Sequence, residues 1–230
     1  MQIPKLYIAL IKTCNARWEE DAEARCEALV TEACLVAPNS PEPLQTLASV
    51  RISQTKLDDA RAALSRSIDL WGNLPPEHPD VPEFPTRISL SRLLMEAEME
   101  EKALDVLERL VAEDDSSVEA WYLGGWCLHL LAGKGQAQEQ VSEAGDHAEI
   151  TTERFRLLKS SRDWLQNGLK LYTMLKYEDD RLQDHATELV AALNKDLGTH
   201  SQGEDEDPED DDGWEDEDDG DDCDETLPEA

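Results

Sequence analysis

Between roughly residue 20 and residue 198, apolar positions recur at i, i+3 and i+4, the spacing that builds one sticky face on an α-helix. Leu57, Ala60, Leu64 and Ile68 mark one such stripe, and Leu90, Leu93, Leu94 and Ala97 another. A third runs through Ala103, Leu104, Leu107 and Leu110. Nowhere do apolar and polar residues alternate in the two-residue rhythm of a half-buried strand. Helix breakers fall in a few clusters: "APNSPEP" (37–43), "GNLPPEHPDVPEFP" (72–85), "GKGQ" (133–136) and the acidic C-terminal stretch. The pattern predicts an all-α chain of helices about 12 to 20 residues long, joined by short turns.

Several of these segments share a frame. Cys26, Val30 and Ala33, with Pro38 closing, match Ala60, Leu64 and Ser67, and match Ala103, Leu107 and Leu110. Ser161, Leu165 and Gly168 repeat it once more. A small residue lets two helix axes approach, and the larger one four positions later fills the groove beside it. Preceding segments supply matching partners: Leu44, Leu47 and Ala48; Leu90, Ser91 and Leu94; then Trp121, Gly124, Gly125 and Leu128. This frame resembles the tetratricopeptide repeat, a helix–turn–helix unit of about 34 residues that stacks into a superhelical solenoid. Cys26 and Ala60 are 34 residues apart; Ala60 and Ala103 are 43 apart, the excess falling in the Pro-rich stretch. The resulting division is a divergent or incomplete first repeat (1–37), a second repeat (38–72), a Pro-rich insert (73–85) and a third repeat (86–117). A fourth repeat (118–175) carries an insert at 133–150, and a capping helix (176–198) precedes a disordered acidic tail (199–230). The opening segment fits either a truncated start or a divergent cap.

Charge then narrows the partners. The formal net charge is −32; residues 204–230 hold 18 carboxylates and no Lys or Arg, which leaves −14 on the rest. No basic stripe is present to neutralise phosphates, so direct binding to nucleic acid is not expected, whereas a cationic protein segment is a natural partner. The five cysteines include no CxxC pair, which speaks against a disulfide framework or a zinc site and for a reducing compartment. No run approaches the ~20 apolar residues of a membrane span, and the short run Leu6–Ile11 makes a poor signal peptide. The expected setting is cytoplasmic and nuclear.

In a solenoid of this kind the first helices line a concave groove. Their groove-facing positions would be Glu42, Gln45, Ser49 and Ile52; then Ile88, Arg92, Met95 and Glu96; then Glu119, Tyr122, Trp126 and His129. Acidic side chains beside Tyr and Trp suit an extended cationic peptide, through carboxylate pairing and stacking of guanidinium on rings. Trp121 is assigned to packing, and Trp126 to packing or to the groove with equal weight. A basic clamp for acidic peptide termini is excluded by the sign of Glu42 and Glu119. No nucleophile motif, phosphate loop or EF-hand loop appears, so neither an enzyme, a cofactor nor a metal is expected. In the tail, Asp210, Asp211, Asp212, Glu215 and Asp216 surround Trp214, either as a solubilising polyanion or as an extension of the cation-binding surface.

One resemblance is more specific. The stretches 37–64 and 90–131, the linker "LPPEHPDVPEFPTRISLSRLL" and the Trp-bearing acidic C-terminus resemble fungal assembly chaperones dedicated to ribosomal protein L-four of the large subunit. The resemblance implies a monomeric superhelical chaperone that holds a newly made basic ribosomal protein by its extended loop. It further implies passage to the nucleus and delivery to the pre-60S ribosome, with an import receptor or the pre-ribosome as further partners. A generic tetratricopeptide scaffold with a solubilising tail, or a histone chaperone, are the alternatives that the residues leave open.

Overall fold

A computed structural model describes residues 22–139 and 147–200. Among these every regular element is an α-helix: α1 (Ala22–Val36), α2 (Pro41–Ser53), α3 (Leu57–Asp69), α4 (Phe84–Glu96), α5 (Glu100–Glu113), α6 (Val118–Glu139), α7 (His147–Leu175) and α8 (Asp180–His200). Helices α2 and α3, α4 and α5, and α6 and α7 pack as pairs. The first members also pack on one another, α2 on α4 and α4 on α6, and α8 continues that row against α6. This is the layout of a tetratricopeptide solenoid, with α1 packed on α2 ahead of the first pair.

Apart from Pro38, Leu47 and Trp121, the residues of the shared frame are buried. Ala60, Leu64, Ala103, Leu107, Leu110, Ser161 and Leu165 are all 0% exposed. Serine is tolerated in small slots because each hydroxyl finds an acceptor: Ser67 Oγ donates to the Pro41 carbonyl, Ser91 Oγ to that of Arg87, and Ser161 Oγ to that of Gly125. Two glycines are required by close approach. A Cβ on Gly124 would sit 2.2 Å from ring carbons of Trp164, and one on Gly125 2.6 Å from Leu165 Cγ. Trp121 meets the Trp164 ring edge-on at 4.9 Å, and its indole N–H donates to the Asp115 carbonyl at 2.8 Å, a packing role.

Helix α2 starts on Pro41, whose fixed φ suits a first helical turn. Both α2 and α4 end in the same hydrogen-bonded reversal: Lys56 N–H bonds the Arg51 carbonyl and Thr55 N–H that of Ile52, and Met99 and Glu98 repeat this on Leu94 and Met95. The residue in the left-handed region is Thr55 (φ 60°) or Glu98 (φ 59°), where glycine is the usual choice.

One expectation changes. The "GKGQ" run was expected to break the chain, but α6 continues through it to Glu139. Tertiary contact outweighs the ~1 kcal/mol helix cost of a glycine: Ala132 is fully buried, and Lys134 Nζ pairs with the buried carboxylate of Glu100. The Pro-rich segment is held to the helices on both sides. Trp71 and Pro82 are buried, Arg109 donates to the Gly72 and Leu74 carbonyls at 2.6 and 2.8 Å, and Arg87 Nε donates to the Pro82 carbonyl at 2.9 Å. Cys34 and Cys127 are free thiols. Burial, with the Glu100 carboxylate adding to it, pushes the Cys127 thiol up to about 12. The start of the expected first repeat (residues 1–21) and residues 201–230 of the expected acidic tail lie outside the described residues.

Candidate functional site

The row of first helices encloses a cavity of about 450 Å³ between α4, α6 and the start of α8. Helix α4 supplies Arg92, and about one turn further on Met95 and Glu96, at i, i+3 and i+4. Helix α6 supplies Tyr122, Leu123, Trp126 and Leu130, again at i, i+4 and i+8 with one neighbour. Asp179, Arg181 and Leu182 close the third side. Asp179 also fixes that side in place, since its Oδ1 accepts the Leu182 N–H at 3.1 Å and caps α8.

Aromatic rings form the floor. The Tyr122 and Trp126 centroids are 6.0 Å apart, and His185 of α8 stands edge-on to Trp126 at 5.1 Å. Tyr122 and His185 share a 2.8 Å hydrogen bond between the phenol oxygen and Nδ1, its direction following the imidazole tautomer. Burial raises the Tyr122 phenol, with Arg92 pulling it down and Asp179 up, so the hydroxyl keeps its proton at neutral pH. The Tyr177 phenol is raised by burial and then by the carboxylates of Glu119 and Asp179.

Five of the expected groove residues therefore come together: Arg92, Met95, Glu96, Tyr122 and Trp126. Glu119 is bound to the edge of the cavity by an ion pair with Arg92. His129 lies one turn beyond Trp126, half-buried, and its Nδ1 has no hydrogen-bond partner. The second repeat does not contribute. Gln45 is buried, 6% exposed, because its amide donates inward to Ser67 Oγ at 3.4 Å; it does not face a groove. Ile52 packs on the core, and Ser49 is half-buried. Glu42 lines a different recess with the turn after α1 and residues 79–83. Asp210, Asp211, Asp212, Trp214, Glu215 and Asp216 lie outside the described residues.

The lining is also less acidic than expected, since Glu96 and Asp179 face Arg92 and Arg181 across the same space. Counting α8 as a capping helix hid Asp179, Arg181, Leu182 and His185. Treating it as one more first helix, with the same turn-to-turn spacing, would have found them. Chemically, the aromatic floor and two carboxylates can hold a guanidinium or ammonium group, with a cation over Trp contributing about 0.5–2 kcal/mol. Among the described residues no group of three or more His, Cys, Asp or Glu could hold a metal ion, and no helix is long and apolar enough to cross a membrane.

His129 yields a pH prediction. Burial, the largest influence, holds its imidazole below the ordinary value; Asp196 opposes this, while His185 and Arg154 act with burial. The unfolded chain therefore takes up this proton first. Its destabilising effect is absent well above about pH 6.5, sets in as the pH falls through that value and is complete below the depressed one. Moving from about pH 7.5 to 5.5 should lower the urea midpoint more in the native chain than in His129→Gln. Identical shifts in the two chains would refute the assignment.

The chain is 64% identical over 182 residues to a protein of Emericella nidulans described as a probable assembly chaperone of rpl4, an alignment covering 79% of this chain and 47% of that protein. It is 35% identical over 177 residues to a Schizosaccharomyces pombe protein of the same description, covering 76% of this chain and 50% of the other. Among solved structures, one described as Assembly Chaperone of RpL4 (Acl4), residues 1–338, is 52% identical with a TM-score of 0.58; the match covers 60% of this chain and 49% of that one. The chain spans about half the length of the curated relatives it matches. No family model matches it.

Proposed function

We propose that this chain belongs to the family of assembly chaperones of rpl4, and that it captures a newly made basic ribosomal protein, L-four of the large subunit, and keeps it soluble until assembly. The observation that carries this reading is the 64% identity over 182 residues to a protein so described. The role is one of binding rather than catalysis, exercised in the cytoplasm and on the way to the pre-60S ribosome in the nucleus.

The cavity between α4, α6 and α8 serves as the anchor point. A client Arg or Lys enters over the Trp126 and Tyr122 rings, with Glu96 and Asp179 meeting its charge. The net charge of −32 supplies the long-range attraction that brings a basic segment to this point. An exposed rRNA-seeking segment otherwise aggregates with polyanions, and rRNA, with its denser charge, later displaces the chaperone. Salt weakens such a grip, because exposed charges are screened beyond about 8 Å at physiological ionic strength.

Affinity purification of the full chain followed by mass spectrometry should recover one ribosomal protein, and the signal should fall when translation stops. Recovery of histones, or of a stoichiometric non-basic partner, would point to another function. With purified client, Trp126→Ala combined with Glu96→Lys should weaken binding by roughly 10-fold or more, with unchanged helicity by circular dichroism. Normal affinity in that variant would move the anchor elsewhere.

A further inference from the structure

The charged side chains that line the cavity between α4, α6 and α8 fall into two kinds. Arg92 is held in its ion pair with Glu119, and Asp179 gives Oδ1 to the Leu182 N–H as the cap of α8. The side chains of Glu96 and Arg181 make no hydrogen bond or ion pair among the described residues, and both are exposed. Helices α4 and α8 pack on α6 from either side. Glu96 and Arg181, of opposite sign, therefore stand on opposite walls, with the Trp126 and Tyr122 rings between them.

Two uncommitted charges of opposite sign suit an occupant that carries both. In an extended segment, alternate side chains share one face and lie about 7 Å apart. A cation and a carboxylate at i and i+2 thus enter a cavity of about 450 Å³ together. The cation lies over the Trp126 ring towards Glu96. The carboxylate goes to the Arg181 guanidinium, whose planar fork matches it. A run of Arg or Lys fits worse, because its second cation meets Arg181. The net charge of −32 attracts any basic chain, whatever the order of its residues. Telling one order from another takes a repulsive group at short range.

We infer that this cavity selects extended segments in which one Arg or Lys stands two residues from an Asp or Glu, and that Arg181 sets the preference. The inference rests on the reading of the cavity as a cation anchor and adds the second charge of its ligand. Polybasic runs are drawn to the chain but are not seated here.

Two neutral-backbone peptides of identical composition test this. In one, a single arginine stands two residues from a single glutamate; in the other, the two lie at opposite ends. Equal net charge removes the long-range attraction from the comparison. NMR titration of the full chain follows the Trp126 indole N–H signal, identified by its loss in Trp126→Ala. The native chain should bind the first peptide about two- to fivefold more tightly, the range of an exposed ion pair. Arg181→Gln should make the two peptides equal, and Arg181→Glu should reverse their order. Equal affinities in the native chain, or a preference that survives Arg181→Gln, would overturn the inference while leaving the cation anchor in place. If neither peptide moves the Trp126 signal, the anchor fails and the inference with it.

Discussion

Trp71→Ala is expected to lower the unfolding free energy by about 3–5 kcal/mol, the usual cost of emptying a buried tryptophan site. Trp71 is 1% exposed and packs in the cluster that joins α3, α4, α5 and α6. Its ring is covered on one side by the Arg109 guanidinium, 5.2 Å from the centroid, and that guanidinium holds the Gly72 and Leu74 carbonyls. Removing the ring therefore opens a cavity and slackens the Pro-rich segment together. Trp71→Phe should cost much less, because the indole N–H has no hydrogen-bond partner and its loss removes an unsatisfied donor. Urea unfolding with an unchanged slope gives both values. An Ala variant within about 1 kcal/mol of the native chain would mean that this core is not closed as described.

The second large effect is expected at an ion pair. Arg87 is 2% exposed; its Nη2 donates to Glu113 at 2.8 Å and its Nε to the Pro82 carbonyl, while Nη1 has no partner. Glu113→Ala leaves a buried guanidinium without its counter-ion, which costs about 3–5 kcal/mol in buried pairs. The carboxylate is 32% exposed, so the lower end applies. Arg87→Met exchanges the charge for an apolar chain of similar reach and should be milder. The telling measurement is the double variant: adding Arg87→Met to Glu113→Ala should restore stability, since no unpaired charge then remains. If the two losses simply add, the pair is not coupled.

What could be read from the residues followed from geometry that repeats. Small residues at Ala60, Ala103 and Ser161 are dictated by helix crossing, so the frame and the burial of its slots were legible without coordinates. The groove side chains of α4 and α6 were legible for the same reason. Positions set by a single neighbour were not. Gln45 turns inward because Ser67 happens to lie beneath it, and α6 runs through Gly133 because Lys134 reaches Glu100. The reversals after α2 and α4 carry Thr55 and Glu98, so no glycine announces them. Asp179 and Arg181 enter the cavity only because α8 stacks as the next helix in the row, which no residue in α8 declares by itself.

The arginines of the solenoid have a consequence for ionic strength. Arg61, Arg87 and Arg109 each bond a carbonyl of another segment: Ala97, Pro82, and Gly72 with Leu74. Bonds of this kind are short-ranged and partly buried, and added salt screens them little. The carboxylates that make up the excess negative charge repel one another through solvent, where salt acts fully. Raising the ionic strength therefore relieves repulsion within the scaffold, whereas the proposed grip on a basic segment would loosen. Stability and the proposed affinity then have opposite salt slopes, so the proposed release of a basic client needs no unfolding.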